Sequence, residues 1–228
     1  MQLYIGNKNY SSWSMRPWVL MRQAGIAFDE VMLRFDGFGA DSEFKTRLLR
    51  VSPAGRVPVL VDDGFVVWDT LAIAEYLADR FPDKALWPRD MKQRARARCA
   101  CAEMHSGFAA LRSQLPMNIE AKLPDVGARV LRDEDAARTD VERMTRLWGE
   151  LLEASGGPLL FGEFSVADAY FAPVVMRFRS YAVPLPAAVA AYVDRVAALP
   201  GVADWVQGAL AEHDFLAFEE PYREAPKP

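Results

Sequence analysis

Residues 55–77 read "GRVPVLVDDGFVVWDTLAIAEYL". Two β-branched runs flank Asp63-Gly64, the residue pair that a tight two-residue turn favours, so 57–69 spells a β-hairpin. The period then changes: Leu71, Ile73, Ala74, Leu77 and Phe81 fall along one side of a helix over 70–81. Upstream, "QLYI" (2–5) is a short apolar run suited to a buried strand. "MRPWVLMRQAG" (15–25) has helical spacing and Gly25 as a C-terminal stop. Pro17 is tolerated in a first turn, which places the start of that helix at Trp13 or Ser14. "FDEVML" (28–33) alternates as a second strand. The order βαβ followed by ββα describes an α/β domain, a small sheet of mixed direction covered by helices.

Downstream the texture changes. "FPDKALWPRD" (81–90) carries two prolines and several charges, as linkers do. From Met91 onward the patterns are helical: Val141, Met144, Leu147, Trp148, Leu151 and Leu152 keep helical spacing. Ser165 and Asp168 form a capping box ahead of "VADAYFAPVVMRF", and two short helices follow, separated by Pro200-Gly201. The expected division is an α/β domain at 1–82, a linker at 83–91 and an all-α domain at 92–228.

Composition removes several functions. With 51% hydrophobic and 25% charged residues, the 228-residue chain has the make-up of a folded protein with a sizeable core. A net charge of −4 opposes non-specific nucleic-acid binding, and no apolar run reaches membrane-spanning length. "MQLYIGNK" lacks the apolar core of a leader peptide, so a cytoplasmic location is expected. Cys99 and Cys101, two apart on a helix, point in different directions and cannot pair. With His105 and His213 as the only histidines, a histidine metal site is not expected, and His105 reads as a partly buried helix residue.

"NYSSWSMRPW" (9–18) places three hydroxyls just where a helix begins. Such a junction is either a helix cap or a place that holds an anion, because free N–H groups and the helix dipole converge there. Asp69 and Thr70, opening the helix after the hairpin, are of the same kind. The run "AEMHSGFAALRSQLPMN" (102–118) presents Met104, Phe108, Leu111 and Arg112 at helical spacing toward the first domain.

Taken in order, "SSWS", "GRVPVLVDDG", "WDTLAIAEYL", "LWPRD" and "SVAD" resemble the cytosolic glutathione transferase superfamily, nearly end to end. The serine-bearing start is most similar to zeta-like bacterial members. The resemblance implies a thioredoxin-like first domain, glutathione as co-substrate, no metal, and a homodimer acting on a small electrophile in detoxification. Ser11 matches the thiol-activating serine of the zeta-like group and Ser12 that of delta- and theta-like members, with Ser11 favoured. Trp13 stands where the zeta motif has cysteine. Val57-Pro58 would be a cis peptide whose backbone pairs with the cysteinyl part of glutathione. Asp69 and Thr70 would hold the γ-glutamyl end, and Lys45 or Arg56 the glycyl carboxylate. The second-substrate site would draw on Met104, Phe108, Arg112 and Arg177. Arg177 and Arg179 lie within a turn of a carboxylate-binding arginine of the zeta class, in a different register. The activity could be transferase, peroxidase or maleylacetoacetate-type isomerase, or the chain could be a binding protein without turnover. The absence of any cysteine from the first domain argues against a thiol–disulfide oxidoreductase.

Overall fold

In the computed structural model, residues 1–225 are described. Strands β1 (Gln2–Ile5), β2 (Asp29–Met32), β3 (Val59–Asp62) and β4 (Phe65–Trp68) form one sheet in the order β2-β1-β3-β4. Strand β1 is parallel to β2 and antiparallel to β3, which is antiparallel to β4. The parallel step is made by helix α1 (Ser12–Gln23), since parallel neighbours need a crossover. The β3–β4 turn has positive φ at both Asp63 and Gly64, 47° and 85°, the geometry that the Asp-Gly pair announces. Helix α2 (Glu43–Leu49) lies between β2 and β3, and α3 (Thr70–Arg80) follows β4.

Helix α1 begins at Ser12, one or two residues earlier than its proline suggests, so Pro17 is the sixth helical residue. It removes the N–H that would reach the carbonyl of Trp13, at a cost the packing offsets. Met15, Val19, Leu20 and Met21 are all buried, and the helix lies against α3 as well as two helices of the second domain.

That domain is helical: α4 (Met91–Ser106), α5 (Ala109–Gln114), α6 (Pro124–Asp133), α7 (Asp135–Ser155), α8 (Val166–Ser180), α9 (Ala187–Ala197) and α10 (Pro200–Glu212). Pro200 opens α10 at its first position, where its missing N–H costs nothing. Residues 226–228, at the end of the expected second domain, lie outside the described residues. Helix α8 is the axis of the molecule, with nearly every side chain buried. Its capping box is present: Ser165 N–H donates to Asp168 Oδ2 at 3.0 Å, and Ala167 N–H to Ser165 Oγ at 3.3 Å. Asp168 also accepts from Leu160 N–H and the Tyr192 hydroxyl, both at 3.3 Å. Burial still pushes its carboxyl up to about 6 against these bonds.

One hydrophobic core runs through both domains, from Leu3 and Ile5 of the sheet through α1 to Tyr170, Phe171 and Trp205. The relative position of α1 and α8 is therefore fixed by packing, and the cleft above them is built from both.

Candidate active site

Two adjoining cavities, of about 470 and 510 Å³, open where the N-terminal end of α1 meets the helical domain. Trp13, Arg56 and Val57 line both. The first also takes in Ser11, Ser12, Lys45, Arg112 and Arg177, and the second Pro58, Asp69, Thr70 and His105. Eleven of the thirteen residues expected at the site thus converge on one cleft, from six separate stretches of chain.

Met104 and Phe108 line neither cavity; both are buried in the main core. The helical spacing that linked them to Arg112 is broken. Helix α4 ends at Ser106, Phe108 has φ +56°, and α5 starts afresh at Ala109. Only Arg112 of that set reaches the cleft.

The two neighbouring serines are not equivalent. Ser11 occupies the cap position of α1 but caps nothing with its side chain. Ser11 is 6% exposed and its hydroxyl donates to Ser14 Oγ at 2.7 Å, which in turn accepts from Gly6 N–H at 3.1 Å. Ser12 Oγ accepts from the Arg177 guanidinium at 3.3 Å, which leaves the Ser12 hydroxyl proton unspent.

Around the second cavity, Val57-Pro58 is a cis peptide. Asp69 has φ +77° and caps α3 through Oδ1, accepting from Leu71 and Ala72 N–H groups at 2.8 and 3.4 Å. Its Oδ2 lies 3.4 Å from His105 Nε2. The Thr70 hydroxyl is buried and shares a 2.9 Å bond with the Tyr170 hydroxyl, which is also 2.7 Å from His105 Nδ1. Asp69, His105, Tyr170 and Thr70 thus close a polar ring across the domain boundary. Sequence reasoning left His105 and Tyr170 out, because nothing in the helical spacing of α4 or α8 marks the residues that cross over to α3.

A carboxylate-bearing tripeptide extended along this cleft would meet the N-terminus of α3 and Asp69 at one end. Lys45 and Arg56 lie at the other, with Lys45 Nζ already bonded to Gly55 C=O at 2.7 Å. Across the first cavity, the segment after α10 forms the outer wall. Glu220 accepts from the Tyr10 hydroxyl at 2.7 Å and from Asn118 at 2.8 Å. This brings Glu219 into the cavity lining and sets Phe218 edge-on to Phe38, with ring centres 5.4 Å apart.

The glutathione S-transferase N-terminal domain model matches residues 10–80, and the C-terminal domain model matches 92–208. The chain belongs to the glutathione S-transferase family. It is similar to "Probable maleylacetoacetate isomerase" of Caenorhabditis elegans, 28% identical over 173 residues covering 76% of each chain. It is 30% identical over 181 residues to "Glutathione S-transferase 1" of Dianthus caryophyllus, covering 77% of this chain and 76% of the relative. The solved structure of a glutathione transferase homolog from Burkholderia, with bound glutathione, superposes with a TM-score of 0.70. It is 27% identical and covers 92% of this chain and 98% of that one. The thioredoxin-like and helical domains of a zeta-like glutathione transferase are thus both present, and the cleft described above lies between them.

Proposed function

We propose that the protein binds reduced glutathione along this cleft, with its thiol at Ser12, and transfers it to a small electrophile entering beside Arg112 and Arg177. The observation that carries this reading is the difference between the serines. Ser12 has a hydroxyl proton to give and a cation behind its oxygen, whereas Ser11 is tied to Ser14. The thiol has a free pKa near 8.5 and reacts as the thiolate, so a donor aimed at the sulfur favours the reactive form. Asp69 and the start of α3 take the γ-glutamyl ammonium and carboxylate, the Val57 backbone takes the cysteinyl unit, and Arg56 or Lys45 takes the glycyl carboxylate.

In this reading residues 1–82 bind glutathione, 83–91 link the domains, and 92–228 supply the electrophile's site in a cytoplasmic detoxifying enzyme. A homodimer is supported by the exposed apolar side chains Phe65, Trp68 and Met91, which β4 and the start of α4 present to solvent. Light scattering that returns a monomeric mass at micromolar concentration would remove that assembly.

Maleylacetoacetate-type isomerisation is the second reading, favoured by the name of the nematode relative. Calorimetry with reduced glutathione tests the binding, and assays against chloronitroaromatics, hydroperoxides and maleylacetoacetate then sort transferase, peroxidase and isomerase. Absence of binding at millimolar glutathione would end the proposal.

A further inference from the structure

The arginines of this protein divide into two populations. Nearer the surface, Arg98 and Arg143 each meet a carboxylate, Glu75 and Glu103, at 2.7 Å. In the interior the pattern is reversed. Arg16 and Arg177 are 3% and 5% exposed, yet neither makes an ion pair among the described residues. Buried charges are ordinarily paired, since desolvating one without a counter-ion is expensive.

Arg177 satisfies its hydrogen bonds with neutral acceptors only: Nε to Leu115 C=O at 2.9 Å, Nη1 to Pro173 C=O at 3.3 Å and Nη2 to Ser12 Oγ at 3.3 Å. Arg16 is sandwiched between the rings of Trp13 and Tyr170, 4.0 and 4.1 Å from their centres, with Nε and Nη1 unpartnered. Arg112 approaches the same Trp13 ring at 5.6 Å, and its Nε also lacks a partner. Three guanidiniums therefore surround Trp13 and Ser12 without an anion among them. Burial and mutual repulsion lower Arg177 to about 9 and Arg16 to about 10, and both remain charged at neutral pH. The carboxylate that lines this cavity is Glu219, outside ion-pairing distance, and burial together with Glu220 raises its carboxyl. The other titratable groups facing the space are Tyr10, Lys45 and Arg56.

We propose that Arg177 is a positioning residue for thiol activation: it reaches across from the helical domain and, through Ser12 Oγ, stabilises the sulfur anion of bound glutathione. This rests on glutathione occupying the cleft as proposed above. A hydroxyl whose oxygen accepts from a cation becomes a stronger donor, because hydrogen bonds in a chain polarise one another. The guanidinium also supplies, close by, the positive charge that a lone serine lacks. No proton is transferred to Arg177. The thiol proton leaves to solvent, and the thiolate remains held by the Ser12 hydroxyl with the guanidinium behind it. The two domains must dock for this pair to exist, so thiol activation depends on the helical domain as much as on the first turn of α1.

The test is ultraviolet titration of the thiolate of bound glutathione, with S-methylglutathione affinity as a measure of the site that is blind to thiol ionisation. In Arg177→Gln, S-methylglutathione is expected to bind as in wild type, while the bound thiol's apparent pKa rises by about one unit or more. Arg177→Lys, which keeps the charge, is expected to recover at least half of that shift. Ser12→Ala combined with Arg177→Gln should shift the pKa by less than the two single changes summed. If Arg177→Gln does not fold, Arg177→Lys and Arg112→Gln decide. The first is then expected within about half a unit of wild type, and the second raised by about half a unit through loss of one neighbouring cation. A wild-type thiol pKa in Arg177→Gln, or in Arg112→Gln where that is the variant measured, overturns the proposal. Strict additivity in the double variant overturns the route through Ser12. Failure of the wild-type protein to bind S-methylglutathione would instead remove the glutathione reading on which the inference stands.

Discussion

Arg177 Nη2 donates to Ser12 Oγ at 3.3 Å, joining the last turn of α8 to the first residue of α1. The residues are 165 positions apart in the chain. Its neighbour Ser11 makes no such contact and instead donates its hydroxyl to Ser14.

Replacing each serine by alanine separates the two. Ser12→Ala is expected to lower kcat ten- to a hundredfold, since a hydrogen bond to an anion contributes about 1.5–3 kcal/mol. Glutathione affinity should change little. Ser11→Ala is expected to leave the thiol pKa in place and to destabilise the fold by about 1 kcal/mol, because it removes the buried hydrogen bond from Ser11 to Ser14 of α1. Thiolate titration and urea unfolding of the two variants check this. A pKa shift confined to Ser11→Ala would exchange the assignments.

Asp69 caps α3 and, in the proposed reading, also holds the ligand, and conservative changes pull these roles apart. Asp69→Asn retains an oxygen for the Leu71 and Ala72 N–H groups, so α3 should lose no more than about 0.5 kcal/mol. The charge facing His105 and the ligand's ammonium is lost, and glutathione should bind roughly ten- to a hundredfold more weakly, the range of one charge-assisted bond. Calorimetry giving wild-type affinity for Asp69→Asn would remove Asp69 from ligand recognition.

The buried capping carboxyl of α8 predicts a pH dependence of stability. Asp168 is raised from 3.8 to about 6 in the folded protein by burial. Between those values the native state holds a proton that the unfolded chain has released, so stability falls as pH rises from about 4 to 6. The change from this group is about 3 kcal/mol at most, at 1.36 kcal/mol per pKa unit. Asp168→Asn cannot titrate, and it turns an amide donor toward Ser165 N–H. It should be less stable throughout, with the gap to wild type narrowing as pH rises through that window. Urea melts at pH 4, 5 and 6 measure this, and a constant gap would contradict it.

Gly127 tests the seam between α6 and the end of α8. A Cβ built there would stand 2.0 Å from the Tyr181 carbonyl oxygen, closer than any backbone allows. Gly127→Ala should therefore cost about 1–3 kcal/mol despite alanine's better helix propensity. A thermal midpoint equal to wild type would show that the seam can open without penalty.

The hairpin around Asp63-Gly64, the helix opened by Asp69 and the Ser165 capping box are written locally: each depends on residues within a few positions of one another. For the same reason the stretches that carry Ser11, Ser12, Val57 and Asp69 could be picked out from the chain alone. What local spacing cannot encode is the partner of a side chain that crosses the cleft. Met104, Phe108 and Arg112 keep a helical period in sequence, but the break at Gly107-Phe108 sends the first two into the core and leaves only Arg112 at the cavity. His105 reaches Asp69 and Tyr170 only because α4 and α8 pack beside α3. The two adjacent serines likewise differ in their partners, Ser14 and through it Gly6 for Ser11, and the distant Arg177 for Ser12. The sequence by itself determined the elements and the chemical types at their ends, because backbone propensity and capping act over a few residues. Only the tertiary structure decided that the Ser11 hydroxyl bonds Ser14 while the Ser12 oxygen accepts from the Arg177 guanidinium. The second contact depends on how two domains with one continuous core settle against each other.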